Sequence, residues 1–179
     1  MTQEETVRSR KNLDMPMPQS VKRSKRPDSD DPLVQRTLDP LAEALAQPDE
    51  RSREAAVERV AQLHVPAGTG LLSRALVELL GREEGPVRDQ AVAYLSRLGP
   101  LAVPDLVLRF PRTDRAALQQ GIIDALTCIA PGLDRDQSLE LVIDLWVLLG
   151  FAVEQPVRLG LGKVLVAVRR ANEASSRGS

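Results

Sequence analysis

The residues that could carry chemistry in this chain are few and scattered. His64 is the only histidine and Cys128 the only cysteine, so the chain lacks the set of histidines and cysteines that a zinc site uses. A nucleophilic serine with His64 as its base would need the strained Gly-x-Ser-x-Gly turn, which the sequence does not contain. We therefore predict no catalytic residue, and we interpret Cys128, beside Ile129 in an apolar run, as a small buried hydrophobic residue.

Two further patterns resemble ligand sites and are better explained by structure. The segment 160–163, Gly-Leu-Gly-Lys, lacks the preceding strand, the earlier glycine and the following Ser or Thr of a phosphate loop. Its glycines fall inside a predicted helix, where the missing Cβ lets a second helix approach closely. The acidic residues Asp134, Asp136, Glu140 and Asp144 are spread along one segment, and the first two suit a helix start. We predict no cofactor and no metal.

The composition favours a helical protein. Hydrophobic residues make up 42% of the 179 residues and aromatic residues only 2%, a balance that suits aliphatic helix-on-helix packing. The net charge of −1 gives no indication of wholesale binding to nucleic acid or to an anionic membrane. The longest apolar stretch, 145–153, is too short to span a bilayer, and the polar first thirty residues do not resemble a secretory signal. We expect a cytoplasmic protein.

Both ends of the chain are predicted to be disordered. Residues 1–31 form a charged arm with almost no hydrophobic periodicity, and residues 172–179 form a short tail. The arm is either a solvated tail or a basic docking arm for nucleic acid or an acidic partner. Its candidate contact residues are Lys22, Arg23, Lys25 and Arg26.

Between these ends the chain shows helix signals and no strand-like alternation. Asp39-Pro40 and Gly85-Pro86 suit helix starts, and Asp134 with Gln137 has the spacing of a capping box. Three glycines follow apolar runs, where a helix could end in a left-handed cap; these are Gly81, Gly99 and Gly150. The sequence predicts an all-α chain.

One apolar pattern recurs in four helices. Val87, Ala91, Leu95 and Leu98 lie on one helix face. The same spacing begins at Ser52, Leu118 and Val157, so that successive units are 35, 31 and 39 residues apart. Each helix follows an apolar partner, at roughly 39–47, 69–80, 101–110 and 136–150.

Residues 86–99 have the sequence Pro-Val-Arg-Asp-Gln-Ala-Val-Ala-Tyr-Leu-Ser-Arg-Leu-Gly, and Ala102-Val103-Pro104-Asp105-Leu106 follow them. This segment resembles a HEAT repeat of the short bacterial kind. The resemblance implies a right-handed α-solenoid of about four helical hairpins over residues 32–171. It also implies a non-catalytic scaffold that binds another protein. Two alternatives remain open. One is a nucleic-acid-binding protein, similar to the HEAT-like DNA glycosylases or acting through the basic arm; the other is a role like that of the HEAT-type bilin lyases.

Two surfaces are candidates for partner binding. The segment 136–150 has only a narrow polar stripe, so it is either wrapped by neighbouring helices or exposed as a patch for a partner or a homodimer, with Trp146 as the anchor. The predicted inner ridge changes sign along the chain. It is acidic at Glu54 and Glu58, mixed at Tyr94 and Arg97, and basic at Lys163, Arg169 and Arg170.

Overall fold

A computed structural model describes residues 31–63, 68–82, 85–151 and 154–177, and over these ranges the chain is helical with no strand. The all-α prediction is confirmed. The α-helices, several of them followed by a 3₁₀ turn, are α1 (Pro32–Leu45), α2 (Glu50–Leu63), α3 (Gly68–Leu79), α4 (Pro86–Leu98), α5 (Val103–Arg109), α6 (Ala116–Ile129), α7 (Arg135–Phe151) and α8 (Gln155–Arg177).

The helices pair into hairpins that contact the hairpins next to them in sequence. In the first row of helices, α1 packs against α3, α3 against α5 and α5 against α7. In the second row, α4 packs against α6 and α6 against α8, while α2 packs chiefly against α1. With this packing, each inner hairpin has one face against the preceding hairpin and one face against the following hairpin.

The core is a continuous aliphatic cluster between the two rows. The recurring face predicted from the sequence supplies much of it, because Ala91, Leu95, Leu118 and Leu161 are fully buried. Phe110 is the one aromatic side chain among the largest fully buried residues. Each buried Leu or Ile contributes roughly 1.5–3 kcal/mol through the surface it removes from water.

Arginine–carboxylate pairs connect neighbouring hairpins. The best buried of them joins α5 to α3, where Arg109 Nε lies 2.6 Å from Glu78 Oε1 and both side chains are about nine-tenths buried. Further pairs between hairpins among the described residues are Arg74–Asp31, Arg82–Asp39, Arg97–Glu54 and Arg88–Asp124.

Local signals set several helix ends as predicted. Gly85 precedes α4 and Pro86 is its first residue, while Gly99 ends it with a φ of +59° that a residue with a Cβ rarely adopts. At the start of α7 the Gln137 backbone amide donates to Asp134 Oδ1 over 2.9 Å, and the Asp134 amide donates to Gln137 Oε1 over 3.1 Å. The capping box is therefore confirmed.

The predicted boundaries of the first helix and the last helix were wrong. The start signal that operates in α1 is Asp31-Pro32, since the Asp31 carboxylate caps the helix, and Pro40 lies inside it. At the other end α8 continues to Arg177, through six of the residues predicted to be a disordered tail. Residues 1–30 lie outside the described part of the chain.

Three smaller expectations also need correction. Gly150 lies within α7 and does not end it. Gly81 does not adopt the left-handed conformation, which among the described glycines belongs to Gly99 alone. Cys128 is exposed, because the buried face of α6 consists of residues such as Ile122 and Ile129. His64 falls outside the described residues.

Glycines bring the helices close together at two places. A Cβ on Gly121 would lie 2.7 Å from Leu80 Cβ and 3.1 Å from the Leu80 carbonyl oxygen, so α6 approaches the end of α3 more closely than any larger residue allows. A Cβ on Gly160 would lie 2.6 Å from Ile123 Cδ1, so α6 approaches this glycine closely, although the close-approach interpretation expected backbone atoms and the nearest atoms belong to the Ile123 side chain. Gly162 has open space at its Cβ position, so the same interpretation was wrong there.

By length and composition alone, one stretch within the described ranges, Pro86–Arg112, could cross a membrane. It is not one straight helix, because the chain changes direction at Gly99 between α4 and α5.

Candidate interaction surface

The two sides of α7 have opposite environments although both are apolar. Leu141, Leu145 and Leu148 recur every three or four residues and are buried against the rest of the protein. On the opposite side, four large hydrophobic side chains are more than half exposed; they are Leu139, Ile143, Trp146 and Val147. We call these four residues the α7 stripe. One side of the helix is thus wrapped by neighbouring helices, as the first alternative predicted, and the other side is exposed.

The exposed side of α8 combines large apolar residues with basic ones. Leu159 is 61% and Val166 49% exposed, and exposed basic residues flank them on the helix surface. The flanking residues are Arg158, Lys163, Arg169 and Arg170.

Comparison with the second hairpin shows that the α7 stripe is open where the equivalent positions are buried. The second and fourth hairpins correspond at a shift of 70 residues, which relates Pro86-Val87-Arg88 to Pro156-Val157-Arg158 and the buried Leu71 and Ala75 to the buried Leu141 and Leu145. At the same shift, Leu76 is 0% exposed and Trp146 is 66% exposed. In the second hairpin, α5 packs against α3; within the described residues, no further helix follows α8 to cover α7 in the same way.

The same comparison applies to the second helix of each hairpin. Arg88 on α4 is buried and its Nη2 lies 2.9 Å from Asp124 Oδ2 on α6, in the following hairpin. Arg158, the corresponding residue of α8, is exposed. The fourth hairpin therefore presents a face that in the second hairpin is covered by the next unit.

Among the other predicted site residues, Glu54, Tyr94 and Arg97 form one cluster. Arg97 Nη1 lies 2.7 Å from Glu54 Oε1, and its guanidinium carbon is 5.3 Å from the centre of the Tyr94 ring, within cation–π range. The Tyr94 hydroxyl is buried and has no hydrogen-bond partner among the described residues. Burial raises the pKa of Tyr94, and nearby Arg97 opposes that shift. These contacts join α2 to α4.

The remaining charged candidates are exposed and stay apart. Glu58 accepts a hydrogen bond from Gln62 within α2, and Arg169 pairs with Glu173 within α8. Lys163 and Arg170 are exposed on α8. The basic-arm residues Lys22, Arg23, Lys25 and Arg26 lie outside the described residues.

Sequence reasoning missed one residue of this surface. In the sequence, Arg158 is marked only by its place in a repeated Pro-Val-Arg segment. The earlier copy, Arg88, pairs with the following hairpin, so the repeat indicates that Arg158 lies on the equivalent face of the fourth hairpin.

No three His, Cys, Asp or Glu side chains come together as a potential metal site within residues 31–63, 68–82, 85–151 and 154–177. Comparison with protein-family models, with curated proteins and with solved structures finds no match for this chain.

Proposed function

We propose that this chain is a HEAT-like, right-handed α-solenoid of four hairpins that acts as a non-catalytic protein-binding scaffold. The packing of each hairpin against its sequence neighbours supports the solenoid, because stacked repeats contact only the units beside them. The recurring buried face at Ala91, Leu118 and Leu161 supports the same arrangement.

The observation that carries the binding function is the exposed α7 stripe. An isolated exposed leucine is ordinary on a protein surface, but four large hydrophobic side chains on one helix face form a contiguous patch. Trp146 is its largest member, and tryptophan is enriched among the residues that dominate binding energy at interfaces. The fourth hairpin thus exposes an apolar surface, and a protein partner covers that surface.

Capture of binding proteins by the full-length tagged chain tests this function. We expect Trp146→Asp to lose the captured proteins, because a carboxylate on the stripe would have to be desolvated on binding. Leu101→Asp is the matched control, since Leu101 is 68% exposed, like Trp146, but precedes α5 in the third hairpin. Loss of binding in both variants, or in neither, contradicts the proposed role of the stripe.

A further inference from the structure

We propose that the α7 stripe is covered by a second copy of this chain, in a two-fold dimer in which α7 of each copy lies antiparallel on α8 of the other. This inference rests on the proposed docking function and names its partner. Four helices then enclose the exposed apolar residues of both copies, namely Leu139, Ile143, Trp146, Val147, Leu159 and Val166.

At the other end of the described helices the exposed surface is mostly polar. In a head-to-tail stack α7 would meet α1 of the next copy, where Arg36, Asp39 and Glu43 are exposed charges and Leu33, 45% exposed, is the one large exposed hydrophobic residue. A head-to-tail stack would place the α7 stripe against these residues and leave their charges partly desolvated. An apolar surface that meets itself avoids this cost, which favours a closed two-fold contact over an open chain.

The charges select how the two hairpins face each other. In the first turns of α7, Asp136 and Glu140 are exposed acids beside one exposed base, Arg135. On α8 the exposed charges are mostly basic, and the acid Glu173 already pairs with Arg169. Pairing α7 with α7 and α8 with α8 would place acids beside acids and bases beside bases. Pairing α7 with α8 of the second copy places unlike charges together at both edges.

The lengths of the helices agree with this register. The helices α7 and α8 run in opposite directions within one hairpin. A two-fold axis parallel to them rotates a residue around the axis without moving it along the axis, so each residue of the second copy lies at the same level as its equivalent in the first. At a rise of about 1.5 Å per residue, counted from the facing ends of the two helices at Phe151 and Gln155, Asp136 reaches the level of Arg170 on α8 of the second copy. Glu140 lies within one helical turn of the level of Lys163. The acidic edge of one copy therefore borders the basic edge of the other.

The experiment is the mass of the purified full-length chain in solution over a range of concentrations, by light scattering or sedimentation. We expect a species of twice 19.6 kDa that dissociates on dilution. Trp146→Asp should raise the dissociation constant by more than about 30-fold, the effect of losing a hot-spot residue. Trp146→Ala serves as a second variant that adds no charge, Leu101→Asp should leave the dimer intact, and circular dichroism verifies that each variant is folded.

A charge exchange tests the arrangement. Glu140→Lys and Lys163→Glu should each weaken the dimer, and the double variant should restore it, because the two residues exchange signs across the same contact. A double variant weaker than either single one would overturn the pairing of α7 with α8.

The outcomes also separate this inference from the function on which it rests. A dimer whose dissociation constant is unchanged by both Trp146 substitutions overturns the inference. A chain that stays monomeric at every concentration, yet captures other proteins through Trp146, overturns the second copy as partner and leaves the docking function standing. A monomer that captures nothing through Trp146 overturns both.

Discussion

Replacing Glu78 by alanine is expected to lower the free energy of unfolding by about 3–5 kcal/mol, the cost of removing one partner from a buried ion pair. Arg109 and Glu78 make two close contacts, 2.6 Å from Nε to Oε1 and 3.2 Å from Nη2 to Oε2. The guanidinium is about nine-tenths buried, so it cannot regain water without moving out of its site. The loss is large because Arg109 stays charged and buried after its carboxylate is gone.

Urea unfolding of Glu78→Ala, Arg109→Ala and the double variant measures this prediction. The double variant should be less destabilised than the sum of the two single variants, because it leaves no charge behind. Arg82→Ala is the control, since the Arg82–Asp39 pair is largely exposed and such pairs contribute at most about 1 kcal/mol. Equal effects of Glu78→Ala and Arg82→Ala would show that the pair between α3 and α5 is open to solvent.

The second large effect is expected on the buried side of α7. Leu145→Ala should lower the free energy of unfolding by about 2–5 kcal/mol, as for other leucines truncated in a close-packed core. Leu139→Ala, an identical change on the exposed side of the same helix, should change stability by less than about 0.5 kcal/mol. Leu145 is 0% and Leu139 61% exposed, so burial is the main difference between the two sites.

Chemical denaturation at low protein concentration measures both variants without a contribution from self-association. A cost for Leu139→Ala similar to that for Leu145→Ala would mean that α7 is covered on both sides within one chain. The α7 stripe would then belong to the core.

Features set by neighbouring residues were predictable from the sequence. Pro86 and Gly99 mark the ends of α4, and Asp134 with Gln137 marks the start of α7, because each signal acts through backbone groups within one turn. The recurring apolar face was predictable for the same reason, since helical periodicity alone places Ala91 and Leu95 on one side.

Features that depend on contacts across hairpins were not predictable. Glu78 and Arg109 are 31 residues apart, and no local signal distinguishes them from surface charges. Asp31-Pro32 and Asp39-Pro40 are the same start signal, and the helix that begins at the earlier one also buries Val34 and Leu38. Helix α8 continues past residue 171 although its apolar pattern stops there, so the prediction placed its end too early.

The sequence predicted which segment holds the candidate site, but not which of its side chains are exposed. The narrow polar stripe of residues 136–150 indicated a helix with more apolar faces than one hairpin needs. Whether those faces are covered depends on the units that follow. Comparison of Trp146 with Leu76 resolves this point, because equivalent positions are open in one hairpin and closed in the other.

We propose above that the outer side of α7 is open in a single chain and is closed by a partner. Collisional quenching of Trp146, the only tryptophan, measures this directly in the unmodified protein. We predict that acrylamide quenches its fluorescence almost as well as that of free tryptophan at high dilution, and less well as the protein concentration rises. A tryptophan protected from the quencher at every dilution would place Trp146 in the core and contradict the account.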